Sequence, residues 1–256
     1  NKDDEHAEQI IKAADCELYT YSEKGKEANF SASDIRYVSQ PDFVGTEFHI
    51  SGKYDMEVRL GIPGLFNVVN ALAAVSVCSF LDLDKEKISH ALEHIRVNGR
   101  MEIVYTSERC TVLVDYAHNA VSMESLLSTL RDYKPKRLVC VFGCGGNRSK
   151  DRRSSMGEIG GRMADLSIIT ADNSRFEKVE DIIADIRGSI EKTGGSFIEI
   201  PDRREAIRYS ILQAQPGDMV AVIGKGHEDY QEINGVRHHF LDREVIEETV
   251  KELGEK

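Results

Sequence analysis

The stretch "RLVCVFGCGGNRSKDRR", residues 137–153, decides the fold of this chain. Its first half is an apolar run typical of a strand buried in a sheet. Two glycines, Gly145 and Gly146, and a basic segment follow, before a helix predicted at about 155–164. A strand, a glycine-containing turn and a helix in this order indicate an α/β unit.

The same alternation runs through the chain after residue 100. Apolar strands are predicted at "TVLVDYA", "RLVCVFG", "LSIIT", "SFIEI" and "DMVAVIG", and helices near 122–132, 155–164, 179–192 and 203–214. This pattern predicts a parallel, doubly wound sheet, followed by a hairpin at "YQEINGVRHHF" that turns at Asn234-Gly235. Before residue 100, four β-rich stretches precede helices at 65–81 and 85–94, so we expect two domains, 1–100 and 101–256.

The composition describes a globular chain. Of its 256 residues, 41% are hydrophobic and 30% charged, and the formal net charge is −11. That charge argues against a nucleic acid or an anionic membrane as a partner. No apolar run approaches the roughly 20 residues of a membrane span, so we expect a cytoplasmic protein.

The cysteines carry no pairing or metal-binding pattern. There are five of them and none forms C-x-x-C, so neither disulfides nor a zinc site is indicated. Cys140 and Cys144 lie near the end of the strand in the opening stretch. They could be small buried hydrophobic residues, or they could be nucleophiles. Because no histidine lies nearby in sequence to activate a thiol, we favour the first interpretation.

Polar residues with chemical potential follow the predicted strands, where open α/β sheets bind ligands. Asp115 and His118 could meet ribose, phosphate or metal, or Asp115 could cap the next helix. Arg148 lies in a basic glycine loop that suggests an anion site, with a solvated loop as the alternative.

Two further strand ends suggest an amino-acid site. Asp172, Asn173 and Arg175 follow "LSIIT", and an asparagine and an arginine there can hold a carboxylate. Gly224 and Glu228 follow "DMVAVIG", where the glutamate could accept an ammonium group. Carboxylate-binding arginines and an amine-binding glutamate together outline a pocket for an amino acid.

The first half of the chain offers candidates for nucleotide contact. Asn67 and Asn70 share one helix face, so Asn70 could pair with a purine edge while Asn67 supports the loop; a helix cap is the ordinary alternative. Arg100 follows Gly99 at the expected domain boundary and could reach a phosphate or form an interdomain salt bridge.

Six motifs in order resemble the Mur ligase family: "GLFNVVNALAA", "NGRMEIV", "VDYAHNAVSMESLL", "VFGCGGNRSKDRRSSMG", "ADNSR" and "GKGHEDYQ". The likeness is strongest to the branch that adds the third residue of the peptidoglycan stem peptide. The resemblance implies an ATP-dependent ligase that uses Mg²⁺. In such enzymes the carboxylate of UDP-MurNAc-L-Ala-D-Glu becomes an acyl phosphate, which the incoming amine attacks.

Matched by position to that family, the candidates fall into three groups. Catalytic roles are expected for Arg100, Asp115 and His118, and nucleotide contacts for Asn67, Asn70, Arg100 and Asp115. The amino-acid site is expected at Arg148, Asp172, Asn173, Ser174, Arg175, Gly224 and Glu228.

The family motif of the branch that uses meso-diaminopimelate reads Asp-Asn-Pro-Arg, whereas this chain has Ser174 in place of proline. Serine loosens the loop but removes neither ligand group. In that branch the arginine binds the distal carboxylate that lysine lacks. Arg175 therefore predicts meso-diaminopimelate as the amino-acid substrate.

Several family features are absent from the sequence: the G-x-x-x-x-G-K-[ST] loop, the uridine-nucleotide domain and the magnesium-holding lysine. We therefore expect an incomplete central ATPase domain followed by a complete C-terminal Rossmann-like domain, a monomer, no metal ligands in this piece and no catalysis by it alone. The alternatives are a stand-alone amino-acid-binding or regulatory module, a ligase for lysine or another amine, and a relative of folylpolyglutamate or cyanophycin synthetase.

Overall fold

The computed structural model describes residues 1–254, which form two compact units. The first unit comprises Asn1–Ser39 and Phe43–Arg96, and the second comprises Gln40–Asp42 and the chain from Val97 onward. No helix within the described residues is long and apolar enough to cross a bilayer.

The first unit packs helices against a four-stranded sheet. Its elements are α1 (Ala7–Ala13), β1 (Tyr21–Ser22), β2 (Phe30–Gln40), β3 (Phe43–Gly52), β4 (Met56–Leu60), α2 (Leu65–Phe80) and α3 (Lys85–His94). Fully buried Phe30 and Phe48 from the strands meet Val68 and Leu72 from α2 in one apolar core. The predicted β-rich stretches and the two later helices are confirmed, whereas the short α1 was not predicted.

The second unit contains a six-stranded sheet in the order β5-β6-β10-β7-β8-β9. Its elements are β5 (Glu102–Thr106), β6 (Cys110–Asp115), α4 (Ala120–Asp132), β7 (Arg137–Phe142), α5 (Lys150–Met163), β8 (Leu166–Ile169), α6 (Val179–Thr193), β9 (Phe197–Glu199), α7 (Arg203–Leu212), β10 (Asp218–Ile223), β11 (Tyr230–Ile233), β12 (Val236–His239) and α8 (Asp242–Glu252).

All strand pairs in this sheet are parallel except β5 with β6. Every residue of β6 and β10 is buried, which explains their unbroken apolar sequences. The predicted α/β class and parallel sheet are confirmed. The predicted hairpin is also present, with Asn234 and Gly235 both at positive φ in the turn.

Helix α5 begins five residues earlier than predicted, because Ser149 caps it by accepting a hydrogen bond from the Asp151 backbone N–H. The basic end of the expected anion-binding loop therefore lies on a helix. Arg153, with only 1% of its side chain exposed, bonds to Glu177 and Asp185 and joins α5 to α6. That arginine is a structural residue.

A buried ion pair holds the carboxyl edge of the sheet together. Arg203 at the start of α7 and Asp242 at the start of α8 are fully buried, and their closest N···O distance is 2.7 Å. The same guanidinium donates to the carbonyl of Ala171, just past β8, and to that of Ile223, at the end of β10. One side chain therefore fixes two strand ends and two helix starts.

We predict that Arg203→Met destabilises the chain by about 3–5 kcal/mol, because it leaves a buried carboxylate without its partner. Urea unfolding followed by circular dichroism measures the change. Arg204→Met is the matched control: its partner Glu248 is exposed, so the loss should stay below about 1 kcal/mol. Equal effects of the two substitutions would contradict the stabilising role of the buried ion pair at the carboxyl edge of the sheet.

Candidate functional site

A cavity of about 370 Å³ opens at the carboxyl edge of the second unit's sheet. It is lined by Tyr116, His118, Gly143, Cys144, Gly145, Arg148, Arg152, Asp172, Asn173, Arg175, Gly224, Glu228 and Tyr230. The structure thus brings together most residues predicted for the amino-acid site. It also places there Arg152, from the basic segment of the expected anion-binding loop, and adds Tyr116 and Tyr230, which the sequence analysis did not select although each lies within a quoted motif.

Asn173 and Glu228 are connected through a buried lysine. The Lys225 Nζ donates to Asn173 Oδ1 at 3.2 Å and to Glu228 Oε2 at 3.1 Å. The Asn173 amide also donates to Glu228 Oε2 at 3.0 Å. The glutamate that the sequence assigned to a substrate amine therefore already has an ammonium partner on one of its oxygens.

Arg175 is held in place through its backbone and its side chain. Its φ of 51° lies in the left-handed region, which is costly for a residue with a Cβ. Its N–H donates to the Glu232 carbonyl at 2.9 Å, and its own carbonyl accepts from the Asn234 N–H. The guanidinium donates to the Gly146 carbonyl at 2.9 Å and lies 3.5 Å from a Glu232 carboxylate oxygen. It lines the cavity rather than pointing into bulk water.

The charges of the cavity are only partly paired. The guanidinium groups of Arg148 and Arg152 form no hydrogen bond or ion pair within residues 1–254. Glu228 Oε1 and Asp172 Oδ2 likewise accept no hydrogen bond from that part of the chain. The cavity therefore presents open cationic and open anionic groups together, which suits a zwitterionic ligand.

Three predicted catalytic residues cluster around Tyr116. The Arg100 guanidinium lies 4.7 Å from the centre of the Tyr116 ring. The centre of the His118 ring also lies 4.7 Å from the centre of the Tyr116 ring. His118 Nδ1 is 2.9 Å from the Tyr116 carbonyl. Arg100 itself is exposed and makes no salt bridge in the described chain.

Asp115 is buried at the end of β6 and accepts hydrogen bonds from the Met101 and Ala117 N–H groups, at 2.8 and 2.7 Å. Burial raises the pKa of Asp115, while these hydrogen bonds and Arg100 act in the opposite direction. Asp115 does not cap α4, since Asn119 does so. Its carboxylate positions the loop that carries Arg100, and a direct nucleotide contact stays a prediction.

In the first unit, Asn67 and Asn70 contact each other near the start of α2. The Asn67 amide donates to the Pro63 carbonyl at 2.7 Å, and the exposed Asn70 donates to Asn67 Oδ1 at 3.2 Å. Asn67 therefore supports the loop before the helix, and Asn70 is accessible to a ligand. The purine contact of Asn70 stays a prediction.

Two predicted residues act through the backbone. Gly146 lies so close to the 172–175 segment that a Cβ on it would lie 1.9 Å from the carbonyl oxygen of buried Ser174. Its N–H donates to the Asn173 carbonyl at 2.9 Å. A Cβ on Gly224, whose φ is 110°, would lie 2.9 Å from Asp172 Oδ2. These glycines allow the site loops to pack together.

The two cysteines at the end of β7 are buried and chemically quiet. Burial raises the pKa of the Cys144 thiol to about 12, with Asp172 acting in the same direction, and burial also raises the pKa of Cys140. Neither thiol has the thiolate character of a nucleophile. No group of three or more side chains suited to hold a metal ion occurs in residues 1–254.

Both halves of the chain match one protein family. Residues 1–78 match the Mur ligase middle domain, and residues 99–226 match the Mur ligase glutamate ligase domain. The chain belongs to the Mur ligase family.

Two of the similar curated proteins share one name. A UDP-N-acetylmuramoyl-L-alanyl-D-glutamate--2,6-diaminopimelate ligase of Caldanaerobacter subterraneus subsp. tengcongensis is 38% identical over 98% of this chain and 52% of its own length. The ligase of the same name from Trichormus variabilis is 42% identical over 95% of this chain and 49% of its own length. The chain spans about half the length of the curated relatives it matches.

Solved structures agree with these matches. A structure of a ligase with that name aligns with 99% of this chain and 53% of its own, at 34% identity and a TM-score of 0.78. A folylpolyglutamate synthase of Thermotoga maritima, at 21% identity and a TM-score of 0.63 over 85% of this chain and 47% of its own, shares the fold alone.

We predict that Gly146→Ala destabilises the chain and opens the cavity, because the new methyl group would push Ser174 and Asn173 away. Gly188→Ala is the control: it lies inside α6 with nothing near its would-be Cβ, and should stabilise by about 0.5–1 kcal/mol. Thermal unfolding compares the two. A Gly146→Ala variant as stable as the parent would show that the close approach is not required.

We predict that iodoacetamide at pH 8 modifies the exposed Cys16 and spares Cys140 and Cys144 until the chain is unfolded in urea. A raised pKa lowers the thiolate fraction at a given pH; a thiol of pKa about 12 forms about a thousandfold less thiolate than one of pKa 9.0. Peptide mass spectrometry measures the labelling. Rapid modification of Cys144 in the folded chain would contradict its burial.

Proposed function

We propose that this chain is the amino-acid-binding part of an ATP-dependent ligase that joins meso-diaminopimelate to UDP-MurNAc-L-Ala-D-Glu. The observation that carries the proposal is the cavity in which the guanidiniums of Arg148 and Arg175 lie with Glu228. The names of the relatives, at 38–42% identity, support the same substrates.

The ligand groups follow from charge and hydrogen bonding. The open Glu228 Oε1 accepts an ammonium hydrogen of the incoming amino acid, and the Asn173 amide, which donates to Glu228 Oε2, holds that carboxylate in place. The carboxylates of the amino acid bind to the guanidinium groups of Arg148 and Arg175, which both line the cavity. Asp172 and Gly224 line the same cavity, and Ser174 packs against Gly146. Lysine lacks the second carboxylate, so it leaves an arginine unpaired.

The nucleotide side is proposed from the remaining residues. ATP, with Mg²⁺, supplies the phosphoryl group that activates the dipeptide carboxylate before the amine displaces phosphate and loses a proton. The exposed Asn70, supported by Asn67, is suited to a base edge. The accessible Arg100 is suited to a phosphate, and Asp115 fixes its loop. His118 lines the cavity, its ring centre lies 4.7 Å from that of Tyr116, and it is proposed as a catalytic residue.

We assign residues 1–100 to the central ATPase domain and 101–256 to the C-terminal domain, and we propose that the protein acts as a cytoplasmic monomer on small molecules. A second candidate function is a stand-alone amino-acid-binding module. It is favoured by one observation: every residue that lines the cavity belongs to the second unit. A binding module would bind meso-diaminopimelate tightly without nucleotide and would form no ADP when given ATP and the dipeptide substrate.

We predict that the chain binds meso-diaminopimelate more tightly than L-lysine, and that Arg175→Ala removes this preference. Loss of a charge-assisted hydrogen bond of about 1.5–3 kcal/mol corresponds to an affinity loss of about 10- to 100-fold. Isothermal titration calorimetry with both amino acids measures it. Arg187→Ala, on the half-exposed face of α6, is the control and should leave both affinities unchanged. Equal affinities in the parent chain would overturn the proposed substrate.

A further inference from the structure

Lys225 is a fully buried lysine without a place in the proposed ligand contacts. Its side chain is 0% exposed, and Glu228 is its one carboxylate partner within residues 1–254. Burying an ammonium group is costly, so a lysine here requires compensation by its neighbours. The compensation comes from Asn173, from Glu228 and from the Tyr230 ring, whose centre is 5.3 Å from Nζ.

These three neighbours all line the cavity, whereas Lys225 does not. The lysine therefore contacts the candidate ligand-binding side chains without lining the cavity itself. A change at Lys225 would reach a ligand only through Asn173, Glu228 or Tyr230.

The ammonium group fixes which atoms those side chains turn to the cavity. Asn173 Oδ1 accepts from both Lys225 Nζ and the Glu232 N–H, so its amide nitrogen faces Glu228. Glu228 Oε2 is occupied by Lys225 and Asn173, so Oε1 is left for another donor. Without the ammonium group, the amide could flip and the carboxylate could rotate.

The backbone directs this lysine inward. Gly224 and Gly226, on either side of it, have φ values of 110° and 52°. A Cβ on Gly226 would lie 2.7 Å from the Gly99 carbonyl oxygen, closer than the 2.9 Å contact noted for Gly224. Both glycines are needed for the turn that directs the Lys225 side chain into the protein, next to the residues that line the cavity.

We propose that Lys225 is a positioning residue: by binding Glu228 Oε2 and Asn173 Oδ1, it presents Glu228 Oε1 to the amine of the bound amino acid. This inference rests on the proposed function. Its effect is specific to the ammonium group that Glu228 accepts, because no hydrogen bond or ion pair joins Lys225 to Arg148 or Arg175 within residues 1–254.

The test compares two ligands in calorimetry: meso-diaminopimelate and pimelate, the same diacid without amino groups. Lys225→Met should weaken meso-diaminopimelate binding by about 10- to 100-fold and change pimelate binding by less than about threefold. Lys251→Met, an exposed lysine in the last turn of α8, is the control and should change neither. A lysine that only stabilised the fold would change both affinities alike, and that result would overturn the proposal.

Two further measurements cover the remaining outcomes. Lys225→Gln keeps a donor for Asn173 while removing the charge, and it replaces the methionine variant if that variant fails to fold. If the parent chain binds neither ligand, the proposed function fails for this chain, and a crystal structure of the variant then decides the positioning role. An Asn173 amide and a Glu228 carboxylate in unchanged orientations would overturn it.

Discussion

The ion pair between Arg203 and Asp242 is the constraint on which the second unit depends. Loops that build a binding site must leave their strands in a fixed direction, yet strand ends lack the ladder hydrogen bonds that fix strand interiors. Here one guanidinium satisfies the carbonyls of Ala171 and Ile223. The loop with Asp172 and Asn173 and the loop with Gly224 and Lys225 begin directly at these carbonyls. Apolar side chains could fill the same space as this ion pair, but they would leave the two carbonyl groups without hydrogen bonds.

The charged groups near the cavity divide into two kinds. Arg153, Arg203 and Lys225 are buried and paired with carboxylates, and they hold helices and loops in place. The guanidinium groups of Arg148 and Arg152 line the cavity and have no hydrogen-bond or ion-pair partner within residues 1–254, whereas Arg175 lines it and also pairs with Glu232. Since both kinds carry the same formal charge, composition alone cannot tell them apart. Burial and partners separate the charges that shape the cavity from those available to a ligand.

The periodicity of the sequence was sufficient to predict the parallel sheet, because five apolar strands alternate with amphipathic helices. Strand ends also pointed to Asn173, Arg175 and Glu228, since the carboxyl edge is common to parallel strands. The sequence could not reveal that Arg153 joins two helices, because its partners are 24 and 32 residues away. It also could not reveal the lysine beneath the cavity, which depends on the inward direction of one turn. Helix α8 was missed because its apolar residues, such as Val245 and Ile246, are few among charges.

The two strands of the hairpin, β11 and β12, differ in their surroundings: β11 contributes to the cavity and β12 is exposed to solvent. Strand β11 supplies Tyr230 and bonds to the Arg175 backbone, whereas all four residues of β12 are exposed. Apart from Arg237, which lies 4.3 Å over the Tyr230 ring, and His239, which pairs with Glu244, the side chains of β12 have little to disturb, whereas β11 is constrained by the cavity. Over evolutionary time, drift in this family should concentrate on the outer strand, which also makes it a convenient place to attach a fluorescent reporter.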